Sequence, residues 1–162
     1  MYKIDNIDFE IVNMLMEDGR MRAAEIARRL GNKSERAVRY RIDRMIENKV
    51  IRLSAIVNPK GLGMNVVADV LLEVEADSIL SVAKSMTEYE NVSYVACSIG
   101  ETDISVQVMA VDTAEVYRFV TEVIGKTPGV RKTTTSIVPL VLKDVFQWRI
   151  PASMITQELN EE

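Results

Sequence analysis

The stretch RMRAAEIARRLGNKSERAVRYRIDRMIENKVIR, Arg20 to Arg52, decides how the first third of this chain folds. Ala23, Ile26, Ala27 and Leu30 recur at helical spacing, which predicts a short helix over about residues 23–30. Gly31-Asn32 then turns the chain. Ser34 is a good N-cap for a helix reaching about Asn48, with Val38, Ile42 and either Met45 or Ile46 on its inward stripe. Arg36, Tyr40 and Arg44 follow at i, i+4 and i+8, opposite that stripe. Two helices joined by a tight turn, the second with an arginine-rich face, read as a helix-turn-helix that offers this face to DNA. Val50 to Val57 is rich in branched residues and predicts a β segment that serves as the wing.

Charge supports this reading once it is divided along the chain. The whole protein of 162 residues has a net charge of −4. Residues 20–52 carry eleven Lys and Arg against four acids, a net of +7, whereas residues 1–19 sum to −4 and 53–162 to −7. Local potential rather than overall charge steers a polyanion to a surface. A solvated basic helix face without a ligand is the plain alternative, and the turn before this helix and the wing after it weigh against that. The first turn of a recognition helix enters the major groove first. Ser34, Glu35, Arg36, Arg39 and Tyr40 are therefore the candidate base readers, and Arg28, Arg29, Lys33 and Arg44 the candidate phosphate contacts. Arg41 stands between DNA and an ion pair with a helix acid.

Around this block, Asp5 caps a first helix with Ile7, Ile11, Met14 and Leu15 on one face, ended by Asp18-Gly19. Asn58 to Gly63, with one Pro and two Gly, reads as a linker. Beyond it the pattern changes. Asn65 to Glu75 alternates, with Val66, Ala68, Val70, Leu72 and Val74 on one side, which is a half-buried strand. A helix over 77–86, strands over 92–99 and 104–111, a helix opened by Asp112 and Glu115 and closed by Gly125, and a last strand over about 130–142 follow. The order is β-α-β-β-α-β, the ferredoxin-like arrangement of a four-stranded antiparallel sheet with two helices on one face. The fold class is α+β. The domains expected are a winged helix-turn-helix over 1–57, a linker over 58–64, a ferredoxin-like domain over 65–145 and a tail over 146–162 that forms a short helix or frays.

Other function classes lose ground on composition. There is no histidine, so the commonest general base, transition-metal ligand and pH switch are all missing. The single cysteine, Cys97, allows neither an internal disulfide nor a cysteine-cluster zinc site, and its apolar surroundings predict a buried, inert thiol. Nothing calls for a cofactor or a metal. No long uncharged apolar run and no signal-peptide pattern occurs, so a soluble cytoplasmic protein with no membrane partner is expected.

The residues Ile4-Asp5, Asp8, Asp18-Gly19-Arg20, Glu25-Ile26-Ala27, Leu30-Gly31, Arg41-Ile42, Val50-Ile51, Asn58-Pro59, Gly100 to Asp103 and Pro128-Gly129-Val130, in this order and spacing, resemble the Lrp/AsnC (leucine-responsive, feast-famine) family of regulators. The resemblance covers about residues 1–145. It implies an N-terminal DNA-binding domain and a C-terminal ligand-sensing domain of the RAM or ACT-like type. It also implies homodimers formed through the sheet, often paired into tetramers or octamers, that regulate transcription on double-stranded DNA. Two departures stand out. The stretch from Gly31 to Arg41 is one residue longer than usual, and Lys49 stands where a Gly often precedes the wing.

The resemblance further implies a small-molecule effector, usually an amino acid, bound near the Gly100–Asp103 loop where dimers meet. The residues suit it: Glu101 and Asp103 can accept from an ammonium group. The Gly100 amide and the hydroxyls of Thr102, Thr133, Thr135 and Ser136 can donate to a carboxylate. An ordinary polar hairpin turn would carry the same residues. Three rivals remain: an architectural DNA-binding protein without effector, a pure sensing or assembly module, and a decarboxylase of the same fold, which the absent histidines disfavour.

Overall fold

A computed structural model describes residues 2–31 and 33–155. The chain forms two compact units, one of Met1–Ile56 joined by the segment from Asp144 onward, the other of Val57–Lys143. No helix among the described residues is long and apolar enough to cross a membrane. Asn32 and everything from Thr156 on, including the end of the predicted tail, lie outside the described residues.

In the first unit, α1 (Asn6–Glu17), α2 (Ala23–Leu30) and α3 (Glu35–Glu47) begin at the caps the sequence offers. The Asp5 carboxylate accepts from the amide of Asp8 at 2.8 Å, and the Ser34 hydroxyl accepts from that of Ala37 at 3.2 Å, each satisfying one orphan donor of a first helical turn. Ile11, Ile26, Val38 and Met45 are fully buried between the three helices. The choice the sequence left open on α3 falls to Met45, since Ile46 is exposed. The segment after Lys143 returns to this unit: Ile150 packs on its core, Ile155 makes a parallel bridge with Ile4, and Arg149 donates to Asn13 at 3.2 Å. Short 3-10 turns at Val145–Gln147 and Ala152–Met154 are the only helical parts of the described tail.

The expected wing strand over Val50 to Val57 does not form. Residues 51–58 carry no strand, and Leu53, Ile56 and Val57 are exposed. Branched residues favour an extended backbone, but a strand needs a ladder partner for its amides and carbonyls, and none of the described residues supplies one.

The second unit is a four-stranded sheet of order β2-β3-β1-β4, built from β1 (Val66–Val74), β2 (Val92–Cys97), β3 (Ile104–Ala110) and β4 (Val130–Val138), every neighbouring pair antiparallel. The helices α4 (Ile79–Met86) and α5 (Thr113–Arg118, continued to Lys126 by a π turn and a 3-10 turn) pack on one face. Alternation fixes which face. Ala68, Val70, Leu72 and Val74 of β1 meet Ile104, Val106, Val108 and Ala110 of β3 beneath Val82, Met86, Val116, Val120 and Ile124. Each larger aliphatic side chain buried there contributes roughly 1.5–3 kcal/mol of transfer free energy. Asp112 caps α5 as expected, accepting from Glu115, whose own carboxylate turns back to the amide of Val111.

Two sequence expectations fail at the β2 edge. The strand ends at Cys97 rather than Ile99, because Ser98 closes the hairpin instead, its amide donating to Asp103 and its hydroxyl to the Thr102 carbonyl. Cys97 is exposed, not buried. An apolar neighbourhood in sequence does not bury a residue at the end of an edge strand, where no further strand covers it.

Candidate nucleic-acid interface and sensing loop

The helix-turn-helix presents its basic residues in three different states. Arg41, which the sequence left undecided, belongs to the interior of the first unit. Its Nη1 donates to Asp5 at 2.6 Å and to Asp8 at 2.8 Å, and the Asp8 side chain is only 2% exposed. The Tyr2 hydroxyl donates to the other Asp8 oxygen at 2.9 Å. Burial raises the Asp5 pKa, but the Asp8 amide and the Arg41 guanidinium favour its charged form more strongly and hold it below the usual carboxylate value. Burial and the acceptor Asp8 together raise that of Tyr2.

A second group makes exposed ion pairs within the helices and, at Glu17, between α2 and α1. Arg39 pairs with Glu35 at 2.6 Å, Arg29 with Glu25 at 2.9 Å and Glu17 at 3.5 Å, and Arg28 with Glu25 at 4.0 Å. Such pairs are worth only about 0.2–1 kcal/mol, so a phosphate can displace them, and Glu35 serves Arg39 rather than facing DNA alone. The third group is uncommitted. Lys33, Arg36 and Arg44 are exposed and make no ion pair among the described residues. Tyr40 is 60% exposed beside Arg44. Of the candidate base readers, Ser34 has its oxygen engaged in capping α3, which leaves Arg36 as the guanidinium with a free fork in the first turn.

α3 ends in a Schellman motif: the Val50 amide donates to the Met45 carbonyl at 2.8 Å and that of Lys49 to Ile46 at 2.9 Å. Lys49 takes φ +58°, the left-handed conformation that favours glycine. The corner is therefore kept despite the departure noted in sequence. Lys49→Gly is expected to raise stability by up to about 1 kcal/mol, because relief of the left-handed strain outweighs the added chain entropy. A fall in the urea midpoint would refute this.

In the second unit the Gly100–Asp103 loop is pinned to β1. The Asp103 amide donates to the Leu72 carbonyl at 2.9 Å, and its carboxylate accepts from the Val74 amide at 2.7 Å. Asp103 thus spends an acceptor on the fold, while Glu101 is exposed and Gly100 faces open space. Register separates the hydroxyls named from sequence. Thr133 and Thr135 pair with Leu72 and Val70 and so lie on the helix-covered face, whereas Ser136 pairs with Asp69 on the open face. Sequence reasoning missed Lys132, on that open face, which bonds Glu73 at 2.7 Å and whose pKa is raised by Glu73 first and by Glu101 also. No spacing signal links a strand residue to a loop 31 positions earlier; only the pairing of β1 with both β3 and β4 puts Lys132 and the loop before β3 on one sheet.

Comparison with known proteins fits both units. Residues 4–46 match the AsnC-type helix-turn-helix domain and residues 67–146 the Lrp/AsnC ligand binding domain. The chain is 35% identical over 142 residues to the HTH-type transcriptional regulator PH0140 of Pyrococcus horikoshii, covering 87% of this chain and 89% of that one. It is 35% identical over 136 residues to the HTH-type transcriptional regulator FL11 of Pyrococcus abyssi, covering 83% and 89%. The solved structure of Escherichia coli AsnC superposes with TM-score 0.82 at 24% identity, over 90% of this chain and 99% of that one. A Neisseria meningitidis regulator solved as its L-Met complex superposes with TM-score 0.81 at 21% identity, over 88% and 94%. The chain belongs to the Lrp/AsnC family of helix-turn-helix transcriptional regulators, which are not enzymes.

Proposed function

We propose that this regulator reads specific DNA sequences through the first turn of α3 and that a small molecule of the amino-acid class modulates it. The carrying observation is Arg36, an exposed guanidinium in that turn with no ion pair among the described residues, inside a segment of net charge +7. A free planar fork suits bidentate contact with guanine. Lys33 and Arg44 serve as phosphate contacts, with Arg28, Arg29 and Arg39 joining once their exposed pairs are exchanged for phosphate. The exposed Leu71 and Tyr94 on the open sheet face support a homodimer formed through that face, and pairing of such dimers is the assembly in which an effector has two states to choose between. A ligand shifts that choice only by its differential affinity for them.

The Neisseria neighbour's L-Met complex and the exposed Glu101 of the Gly100–Asp103 loop support an amino acid as effector, its ammonium at Glu101 and its carboxylate at the loop amides. A thermal-shift panel of amino acids tests this, since a ligand bound to the native state raises the melting temperature as its concentration passes Kd. If no amino acid moves it at millimolar concentration, this part of the reading falls.

Sequencing the DNA that co-purifies with the protein tests the regulator reading. Discrete enriched sites, including the region upstream of its own gene, are expected; uniform coverage would favour an architectural role. Arg36→Ala is expected to cost roughly 1–3 kcal/mol at preferred sites and to relax their sequence preference. Arg28→Ala is expected to weaken all sites alike and to lower the salt slope by about one. Equal, salt-independent losses from both would overturn this division of roles.

A further inference from the structure

Tyr2 precedes every helix of the first unit, yet it lies against α3. The Arg44 guanidinium carbon sits 5.5 Å from the centroid of the Tyr2 ring and 5.6 Å from that of Tyr40. One exposed cation is shared by two aromatic rings, the geometry of a cation–π pair made twice. Tyr40 is one turn before Arg44 on the same helix, so its ring is at hand by helical spacing alone. Tyr2 is brought from the start of the chain and fixed at its far end: its hydroxyl donates to Asp8 at 2.9 Å, and buried Asp8 is held in turn by Arg41 at 2.8 Å. A continuous set of contacts, Arg41 to Asp8 to Tyr2 to Arg44 to Tyr40, therefore runs from the interior of the unit to the exposed face of α3.

These side chains line an open groove that Lys3 and Asn48 also border. Both carboxylates in it, Asp5 and Asp8, are engaged by Arg41, so Arg44 and Lys3 are the charges left to meet a ligand. Rings against a guanidinium leave its N–H donors available. An arginine free in solvent must give up its rotamer freedom when it grips a phosphate. One already held between rings has given up much of it beforehand, and preorganisation of that kind raises affinity without adding a contact.

We propose that Tyr2 is a positioning residue for DNA binding, holding Arg44 with Tyr40 as a preformed clamp on a backbone phosphate. The proposal rests on the regulator reading and adds the start of the chain to its DNA interface. Because a phosphate contact is blind to sequence, the test uses a labelled duplex of mixed sequence, titrated by fluorescence anisotropy over a salt series. Tyr2→Leu keeps an apolar side chain on the core but removes the ring. It is expected to weaken binding about fivefold with the salt slope close to that of wild type, because Arg44 still reaches the phosphate and only its preorganisation is lost. Arg44→Ala, which removes the contact itself, is expected to lower the slope by about one. Tyr2→Phe keeps the ring and loses only the hydroxyl, and is expected to stay within about twofold of wild type. With Arg44→Ala as background, Tyr2→Leu is expected to cost nothing further, since its effect passes through that arginine.

A Tyr2→Leu protein that melts normally and binds with wild-type affinity would overturn the clamp, as would losses from Tyr2→Leu and Arg44→Ala that add. A variant that fails to fold leaves Tyr2→Phe to decide: a drop as large as that of Arg44→Ala would show the hydroxyl, not the ring, to matter. Wild-type protein that binds no DNA at low salt would remove the regulator reading itself, an outcome distinct from a clamp that fails on a protein that does bind.

Discussion

Arg41→Ala is expected to destabilise the N-terminal unit by about 3 kcal/mol, the lower end of what losing one partner of a buried ion pair costs. The lower end applies because the Arg41 side chain keeps 28% of its exposure. The cost is set less by the lost attraction than by what remains: Asp8, buried, with one oxygen on Tyr2 and the other without a donor, and Asp5 without its cation. Trp148 is the single tryptophan and belongs to the same unit, so urea unfolding followed by its fluorescence reads that unit. A loss below about 1 kcal/mol would mean the triad contributes no more than a surface pair. Replacing both partners, as in Arg41→Met with Asp8→Leu, is expected to recover most of the loss, because no charge is then left buried.

Acid has a related effect with a definite sign. The folded pKa of Asp5 lies below its ordinary value, so the unfolded chain binds its proton first as pH falls. Its stabilisation is present above about pH 4, the unfolded value, and is lost as pH drops through the lower folded one. Removing Arg41 takes away one of the causes of that lowering, so in Arg41→Ala the Asp5 part of the acid transition is expected to shrink.

The second large effect is expected at Gly129→Ala, in the other unit. Gly129 takes φ +92°, and a Cβ there would meet Cβ of Ser78 at 2.6 Å and its hydroxyl at 3.0 Å. The left-handed backbone costs an L-residue roughly 1–2 kcal/mol, and overpacking against the start of α4 adds about 1–3 kcal/mol. The sum places the loss near 3 kcal/mol. Nothing in the clash resembles a flexible chain end that could swing away: Ser78 is itself the cap residue of α4, and its carbonyl accepts from Val82. Loss of the β-sheet signal in circular dichroism at lower urea, with Trp148 fluorescence unchanged, is the expected pattern. A variant as stable as wild type would mean α4 shifts freely, contrary to the packing of Val82 and Met86 on the sheet.

Much of this was legible in sequence because it is local. Asp5, Ser34 and Asp112 open helices where the chain supplies an oxygen three residues before an orphan amide, and each does so in the structure. The alternation from Val66 to Val74 named the inward face of β1, and the register confirms it residue by residue. Failures came where a residue's state depends on what lies across from it. The branched run after Val50 had the right backbone preference and no partner strand. Cys97 had apolar neighbours along the chain and none covering it. Which face each β4 hydroxyl takes was likewise not legible along the chain: the pairing of β4 with β1 puts Thr133 and Thr135 on one face and Ser136 on the other.

Sequence alone determined that this protein is a basic helix-turn-helix followed by a ferredoxin-like domain, because caps, periodicity and charge blocks act within a few residues of one another. Only the tertiary structure decided which arginines are engaged in ion pairs and which are not. Eight arginines between Arg20 and Arg44 look alike in sequence, since each carries the same charge on the same flexible stem. Folding brings buried Asp8 to Arg41, places Glu35 and Glu25 beside Arg39 and Arg29, and sets Tyr2 against Arg44, while Arg36 is left with no such partner among the described residues. Burial and pairing across distant positions, not residue type, tie one of these side chains to a buried carboxylate and leave another without an ion-pair partner among the described residues.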